Sequence, residues 1–440
     1  MAEMEAVSKD EVNFSSTWKT AGASFVSVFF HNYNNIAAAL VSGIIWPSVF
    51  FPSFNPYVGL FLSLSTYVVG YIAGIVGAFI FGQYGDTSGR RNVGAVALAI
   101  TAIGAIGISL TPGYTTLGVT ADVLLIVFRF IAGMGIGTMV GDGAWVVESA
   151  AKSNRRGLWG TTFGVGQSLS VAAPALILFY LITSYPHAYV FSSGWRIIFY
   201  IGAVGIIVAL IIRIFITDTK VFRELKDTNK VESLPAIQVF RPFWKQIMIL
   251  MVVQAASAGA IFELASFTPG FLGSEGLTPL NATLALGIAS IVGIAVKLLT
   301  GLLADAKGRL FAMRAGMLAV AIWAIPYLYF LYLKPSLPLL IVDEIIMYGA
   351  ASIQIATVAS LFAEQFASRY RYSGVTISYN FGQLLAGIVT AVIAAAILSA
   401  LKGPVHSWPY IGALMLVLNV IAFGLLFTLK ETFSKHIVAD

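Results

Sequence analysis

The chain contains no cysteine, which excludes disulfides, thiolate metal sites and cysteine nucleophiles. Charge is nearly as scarce. Only 10% of the 440 residues are Asp, Glu, Lys or Arg, against about 25% in a soluble globular protein, so no ordinary water-exposed surface can be built from this chain. The four histidines are scattered, so neither a metal site nor a cofactor is expected. No Gly-x-x-x-x-Gly-Lys-Ser/Thr loop is present, which argues against ATP-driven pumping, and no enzyme signature competes. A cleavable leader is not evident, because Met1 to Lys19 is polar and mixed in charge; insertion then falls to the first apolar span. What is abundant is apolar: 58% of residues are hydrophobic, mean hydropathy is +0.87, and many of the 42 glycines and 15 prolines lie inside apolar stretches, as in helices that pack closely or bend in lipid.

A spanning helix needs about 20 mostly apolar residues. Such runs fall near 20–47, 56–82, 92–112, 120–148, 157–184 and 195–217, then near 246–272, 281–302, 310–333, 337–365, 372–400 and 407–430; they are spans 1 to 12. Between the two sets, roughly 218–245 is the only long polar segment inside the chain. The expected domains are therefore a six-helix lobe over 1–217, a linker over 218–245 and a second six-helix lobe over 246–440. Lys and Arg outside the spans crowd on one side, with only Lys334, Lys402 and Arg196 on the other. The excess of basic residues marks the cytoplasmic side, which places both termini and the linker in the cytoplasm and requires an even number of spans.

The halves repeat. GQYGDTSGRR, from Gly82, follows span 2, and GLLADAKGRL, from Gly301, follows span 8. Arg156-Gly157 opens span 5, and Arg371-Tyr-Ser-Gly374 opens span 11 at nearly the same offset. Equivalent elements point the same way, so the halves are parallel repeats about an axis along the membrane normal, an arrangement in which transporters hold substrate between the lobes near the midplane.

Both loops fit the G-x-x-x-D-x-x-G-R pattern of the major facilitator superfamily, on Gly82, Asp86, Gly89 and Arg90, and on Gly301, Asp305, Gly308 and Arg309. Within it the chain most resembles the metabolite:proton symporter family. The resemblance is carried by RFIAGMGIG from Arg129, TDTKVFRELK before span 7, GWRIIFYIGA at Gly194, and FASRYRYSGVTISYN from Phe366 to Asn380. It implies an all-α membrane protein of twelve transmembrane helices in two six-helix pseudo-symmetric lobes (the MFS fold), moving organic acids, amino acids or betaines with protons. Two departures stand out. The family's Glu-x-Tyr-Asp in span 1 is here His31-Asn32-Tyr33-Asn34, without acids, and the acid ending span 4 is Glu148, one residue before the family position.

An ionisable group in a spanning helix is costly unless paired or wet, so each is a functional candidate. Arg129 in span 4 either binds a substrate carboxylate bidentately or pairs with Asp122, seven residues away. His31, Asn34 and Asn35 share one face of span 1 at i, i+3 and i+4, a stripe that lines a cavity or ties helices together. Gln167 in span 5, with Asn380 and Gln383 in span 11, extends the polar set to both lobes. The candidate proton carriers are Asp142, Glu263 and the adjacent Asp343 and Glu344, Glu263 first because its neighbours are apolar; the alternative for the last pair is a wetted vestibule or a salt bridge. Asp86, Arg90 and Glu148, mirrored loosely by Asp305 and Arg309, form a gate at the cytoplasmic end. Lys297, placed one turn from the inner end of span 8, is read as snorkelling.

The sequence thus reads as a plasma-membrane secondary transporter, with proton-coupled symport of a small polar metabolite by rocker-switch alternating access as the expected activity. Its partners are a small-molecule substrate, protons and membrane lipid, with no nucleic acid and a monomeric state. A sugar or phosphate symporter, a multidrug exporter and a non-transporting receptor or sensor are the alternatives.

Overall fold

The computed structural model describes residues 14–150, 153–215, 235–274, 279–401 and 403–433. Most of the linker expected over 218–245 lies outside them. Twelve long helices run in chain order: α1 Phe14–Ile44, α2 Pro56–Ser88, α3 Arg90–Leu110, α4 Val119–Ser149, α5 Arg156–Ser184, α6 Arg196–Ile214, α7 Phe240–Leu272, α8 Pro279–Lys307, α9 Arg309–Tyr332, α10 Leu337–Glu364, α11 Ser368–Ala400 and α12 Pro404–Leu425. No strand occurs among the described residues. Eleven of the helices are long and apolar enough to cross a membrane. The remaining one, α1, has 31 residues, and the polar run His31, Asn32, Asn34 and Asn35 at its middle dilutes its hydropathy.

Packing repeats between the halves. In the first, α1 lies against α5 and α6, α4 against α2 and α3, and α3 against α6; in the second, α7 lies against α11 and α12, α10 against α8 and α9, and α9 against α12. Each pair in one set has its counterpart six helices later. The halves meet where α2 runs along α11 and α5 along α8, which are likewise equivalent pairs.

The repeated loop motif has a backbone reason. Gly89 and Gly308 carry φ of 100° and 104°, a region open to glycine and strained for other residues. They turn α2 into α3 and α8 into α9. The earlier glycine of each motif permits close approach: a Cβ on Gly82 would lie 3.2 Å from Thr376 Oγ1 on α11, and one on Gly301 would lie 2.4 Å from Thr161 Cγ2 on α5.

Inside the first lobe, α2 and α4 approach closely at their glycines. A Cβ on Gly77 would lie 2.0 Å from the Met134 carbonyl oxygen, and one on Gly133 would lie 2.2 Å from that of Gly70. Small residues at such spacing let helix backbones approach in lipid, where no hydrophobic force drives them together. α4 breaks at Gly137–Thr138, and α7 loosens into a π-helical turn over Glu263–Phe267.

Gly77→Ala is expected to lower the thermal unfolding temperature of the purified chain, through overpacking worth about 1–3 kcal/mol. Gly349→Ala, whose methyl would meet nothing within 4 Å, should change stability by about 1 kcal/mol or less. Equal melting of the two variants would contradict the contact.

Candidate functional site

Where the halves face each other at mid-depth they enclose a cavity of about 30 Å³, room for a water or two but not for a metabolite. Five helices present one face each. Asn32 and Ile36 come from α1, Phe163, Gln167 and Val171 from α5, and Tyr379 and Gln383 from α11, all at four-residue steps; α7 adds Gln254, Ala258, Ile261 and Phe262, and α10 adds Tyr348, Ile355 and Val358. Tyr379 ties the lobes together, its hydroxyl accepting from Gln167 at 3.1 Å and Gln383 at 2.9 Å. Asn32 donates to Ser170 at 2.7 Å. The side-chain oxygens of Gln254 and Gln383 accept no hydrogen bond, so the wall offers free acceptors to a polar solute.

The polar stripe expected on α1 faces elsewhere. Asn34 donates to the Phe30 carbonyl at 3.0 Å and packs on Gly202 of α6. Asn35 donates to the hydroxyls of Tyr67 and Tyr71 on α2 at 3.2 and 2.9 Å. His31 is buried within electrostatic reach of Asp142 and Arg213. None of the three lines the cavity; Asn32, one residue along and about 100° around the helix, does. Arg129 is also displaced from it. Its Nη2 donates to the Tyr67 carbonyl at 3.1 Å, its guanidinium lies over the Tyr67 ring at 5.1 Å, and the missing Cβ of Gly70 makes room for it. It does not pair with Asp122. Asn380 donates to the Gly137 carbonyl at 2.9 Å, a contact between lobes beside the cavity. Of the expected substrate set, Gln167 and Gln383 stand on the wall.

The acids divide in two. Asp142 is compensated: Arg213 lies 2.7 Å away, Ser27 donates to its other oxygen at 2.5 Å, and the pair ties α4 to α6 and α1. Asp142 therefore differs from the other three candidate carriers, its carboxylate being held by a guanidinium and a hydroxyl. Glu263, Asp343 and Glu344 have no such partner among the described residues. Glu263 is wholly buried in the π turn of α7, and neither of its oxygens accepts a hydrogen bond. Glu344 accepts from Tyr327 at 3.2 Å, Tyr327 shares a 2.7 Å hydroxyl contact with Thr268 of α7, and Asp343 accepts from Trp323 at 2.8 Å. Both acids are buried, and neither forms a salt bridge among the described residues.

Both ends of the cavity are shut. At the end bearing the repeated loops, Asp86 of α2 accepts from the backbone N–H groups of Tyr372 and Ser373 at 3.2 and 2.9 Å and from the Ser373 hydroxyl at 2.7 Å. These donors open α11, where a helix N-terminus favours negative charge. Asp305 of α8 does the same at α5, accepting from Gly157 and Leu158 at 2.7 and 2.9 Å. Beside them Glu148 pairs with Arg371 at 2.9 Å. In the other half Arg309 bridges Asp305 at 2.8 Å and Glu364 at 3.3 Å, with Arg156 3.7 Å from Glu364. The Arg90 side chain lies outside the described residues. Arg371, Arg156 and Glu364 went unassigned in the sequence reading, although the matching Arg-Gly openings of spans 5 and 11, and Glu148 and Glu364 ending spans 4 and 10, held the signal. At the opposite end the closure is apolar: Gly43 of α1 lies against the Ser266 carbonyl of α7, Leu60 against Gly270, and Phe262 against Tyr71 at 5.0 Å.

The structure is thus a two-lobed helical bundle whose halves meet around a cavity lined by apolar side chains and the amides Asn32, Gln167, Gln254 and Gln383. The chain belongs to the Major Facilitator Superfamily, whose family model matches residues 24–391, and so to a class of transporters, not enzymes. It is 26% identical over 389 residues to the inner membrane metabolite transport protein YhjE of Escherichia coli (strain K12), covering 86% of this chain and 87% of that one. The shikimate transporter of the same strain is 25% identical over 406 residues, with 90% and 91% covered, and its proline/betaine transporter is 24% identical over 402, with 88% and 78% covered. Among solved structures, the proton:xylose symporter XylE bound to 6-bromo-6-deoxy-D-glucose superposes with a TM-score of 0.76 at 16% identity over 97% of this chain and 98% of that one. That likeness is one of fold.

Asp86→Asn removes an ionised acceptor that holds the lobes together. Charged hydrogen bonds contribute about 1.5–3 kcal/mol, so the ratio of open to closed forms at this end should rise by about tenfold or more. Distances between spin labels on the two lobes would report it; an unchanged distance distribution would contradict the latch.

Proposed function

We propose that this chain is a proton-coupled symporter for a small polar metabolite, an organic acid or amino-acid-like compound, working by rocker-switch alternating access. The observation that carries the reading is the group Glu263, Asp343 and Glu344: three buried carboxyls with no cation within salt-bridge distance among the described residues, set near the cavity between the lobes. In such surroundings a carboxyl holds a proton at far lower cost than it holds a charge. Opening to water on one side admits the proton and the solute, closure seals both, and opening on the other side wets the acid and releases them. Glu263 is the primary carrier. Its neighbours Ile261 and Phe262 are wall residues, so filling the cavity alters its surroundings directly, and its π turn abuts α1 of the opposite lobe, so rocking moves it. Asp343 and Glu344 stand behind it through Tyr327.

The names of the relatives support a metabolite as cargo. A second reading, a sugar as cargo, draws on the cavity's amides, which suit a solute rich in hydroxyls. Counterflow of labelled proline, betaine, shikimate and xylose through proteoliposomes separates the two, and also separates a carrier from a receptor that binds without transporting. The same proposal takes 1–217 and 246–440 as the moving lobes joined through 218–245. It puts the Asp86 and Asp305 latch and both termini on the cytoplasmic side of the plasma membrane, and the chain at work as a monomer in lipid.

Glu263→Gln should abolish uphill accumulation driven by a pH gradient, bringing the internal concentration to parity with the external, while exchange across equal pH continues. If the variant concentrates solute as well as the parent, the carrier is not Glu263 and the test passes to Asp343 and Glu344.

A further inference from the structure

Every buried cation described so far except Arg129 faces a carboxylate, and Arg129 is spent on a carbonyl and a tyrosine ring. Lys297 of α8 is different. It is wholly buried, and α8 continues to Lys307, so its Cα lies about 15 Å from the helix end at 1.5 Å per residue. The ammonium cannot snorkel to water over that depth. Its stem instead crosses to the opposite lobe, where Gly164 of α5 makes way: a Cβ there would lie 3.2 Å from Lys297 Cδ. The Nζ donates one hydrogen bond, to Ser168 Oγ, and stands 5.0 Å from the Tyr348 ring centre. No carboxylate lies within 4 Å of it among the described residues. An ammonium has three donors, so two N–H groups are left without an acceptor among the described residues, in a place where unpaired charge is expensive.

The position of Lys297 gives that deficit a meaning. Tyr348, the ring it stacks on, lines the cavity, and Ser168 follows Gln167, which also lines it. Ser168 and Tyr348 hold each other at 3.3 Å, and Tyr348 touches both the ammonium and the cavity.

We propose that Lys297 is the anion-binding residue of the central cavity and that the cargo is a small carboxylate. The proposal rests on the transporter reading and narrows its substrate class. When the cavity opens, the Tyr348 ring swings aside and the two free N–H groups of Lys297 take the carboxylate oxygens, while Gln167, Gln254 and Gln383 hold the rest of the solute through their amides. A carboxylate fits better than a phosphate dianion, since a single cation faces the space, and better than a sugar, which would leave the ammonium unpaired.

The full chain, purified, is tested by thermal shift against acetate, lactate and benzoate, each beside its carboxamide. At least one of the acids should raise the melting temperature and its amide should not; Lys297→Met should lose the shift, and Lys297→Arg should keep part of it. A merely structural lysine would change the baseline melting temperature without touching the preference for acid over amide. Should Lys297→Met fail to fold, Ser168→Ala serves instead: by removing the competing acceptor it should lower the concentration of acid that gives half the shift. The proposal is overturned if none of the acids stabilises the parent, if amide and acid act alike, if the shift survives in Lys297→Met, or if Ser168→Ala leaves the half-shift concentration unchanged. Counterflow keeps its failure apart from that of the transporter reading. Xylose exchanged equally by the parent and by Lys297→Met refutes the carboxylate and leaves the carrier standing, whereas no counterflow of any solute refutes the carrier.

Discussion

The cost of an unpaired charge inside a helical bundle in lipid orders this molecule. Wherever an ionised group is paired, the pair joins two helices and fixes their placement. Asp142 and Arg213 tie α4 to α6, Glu148 and Arg371 tie α4 to α11, and Arg309 draws Asp305 and Glu364 together across α8 and α10. Two buried groups without an ion-pair partner among the described residues, Glu263 and Lys297, stand close to the cavity between the lobes. The proposed function amounts to reading the first set as scaffold and latch and the second as the groups that a proton and a solute complete.

Under the proposed function, the internal repeat turns that constraint into a two-state device. Asp86 caps α11 and Asp305 caps α5, so the same carboxylate-to-helix bond is made twice, once from each lobe. Its partners are charged and hydrogen-bonded, whereas the closure at the other end is made of glycine, leucine and aromatic contacts. Two unlike closures that are both made in this structure can be released one at a time, which is the physical requirement for alternating access. Gly82 and Gly301 belong to the same logic, since each allows its helix to lie close against the opposite lobe.

Much of this was legible in the sequence. Hydropathy located the helices, and the paired Gly-Asp-Gly-Arg loops revealed the repeat, because they are local patterns with local causes: a positive φ at Gly89 and Gly308 and a carboxylate seeking a helix end. The cavity was half legible. Gln167 and Gln383 were found because each is an amide inside a mostly apolar span. The run His31-Asn32-Tyr33-Asn34-Asn35 offers polar groups in nearly every direction, and only the neighbours of α1 decide that Asn32 faces the cavity while His31, Asn34 and Asn35 face α2, α3 and α6. Lys297 was misread for a simpler reason. Apolar patterning ended span 8 near residue 302, whereas α8 runs to Lys307 because Asp305 is satisfied by the N–H groups of α5 and lets the helix continue. That shift of helix end moves a lysine from the rim to the interior.

The central claim is that solute and proton cross together. It is tested most directly by loading proteoliposomes containing the full chain with a pH-sensitive dye and adding solute outside, with no pH gradient imposed. The account predicts that a transported solute acidifies the lumen as it enters, in step with its own uptake, and that empty liposomes show no such change. Uptake that proceeds with the lumen pH unmoved would contradict it.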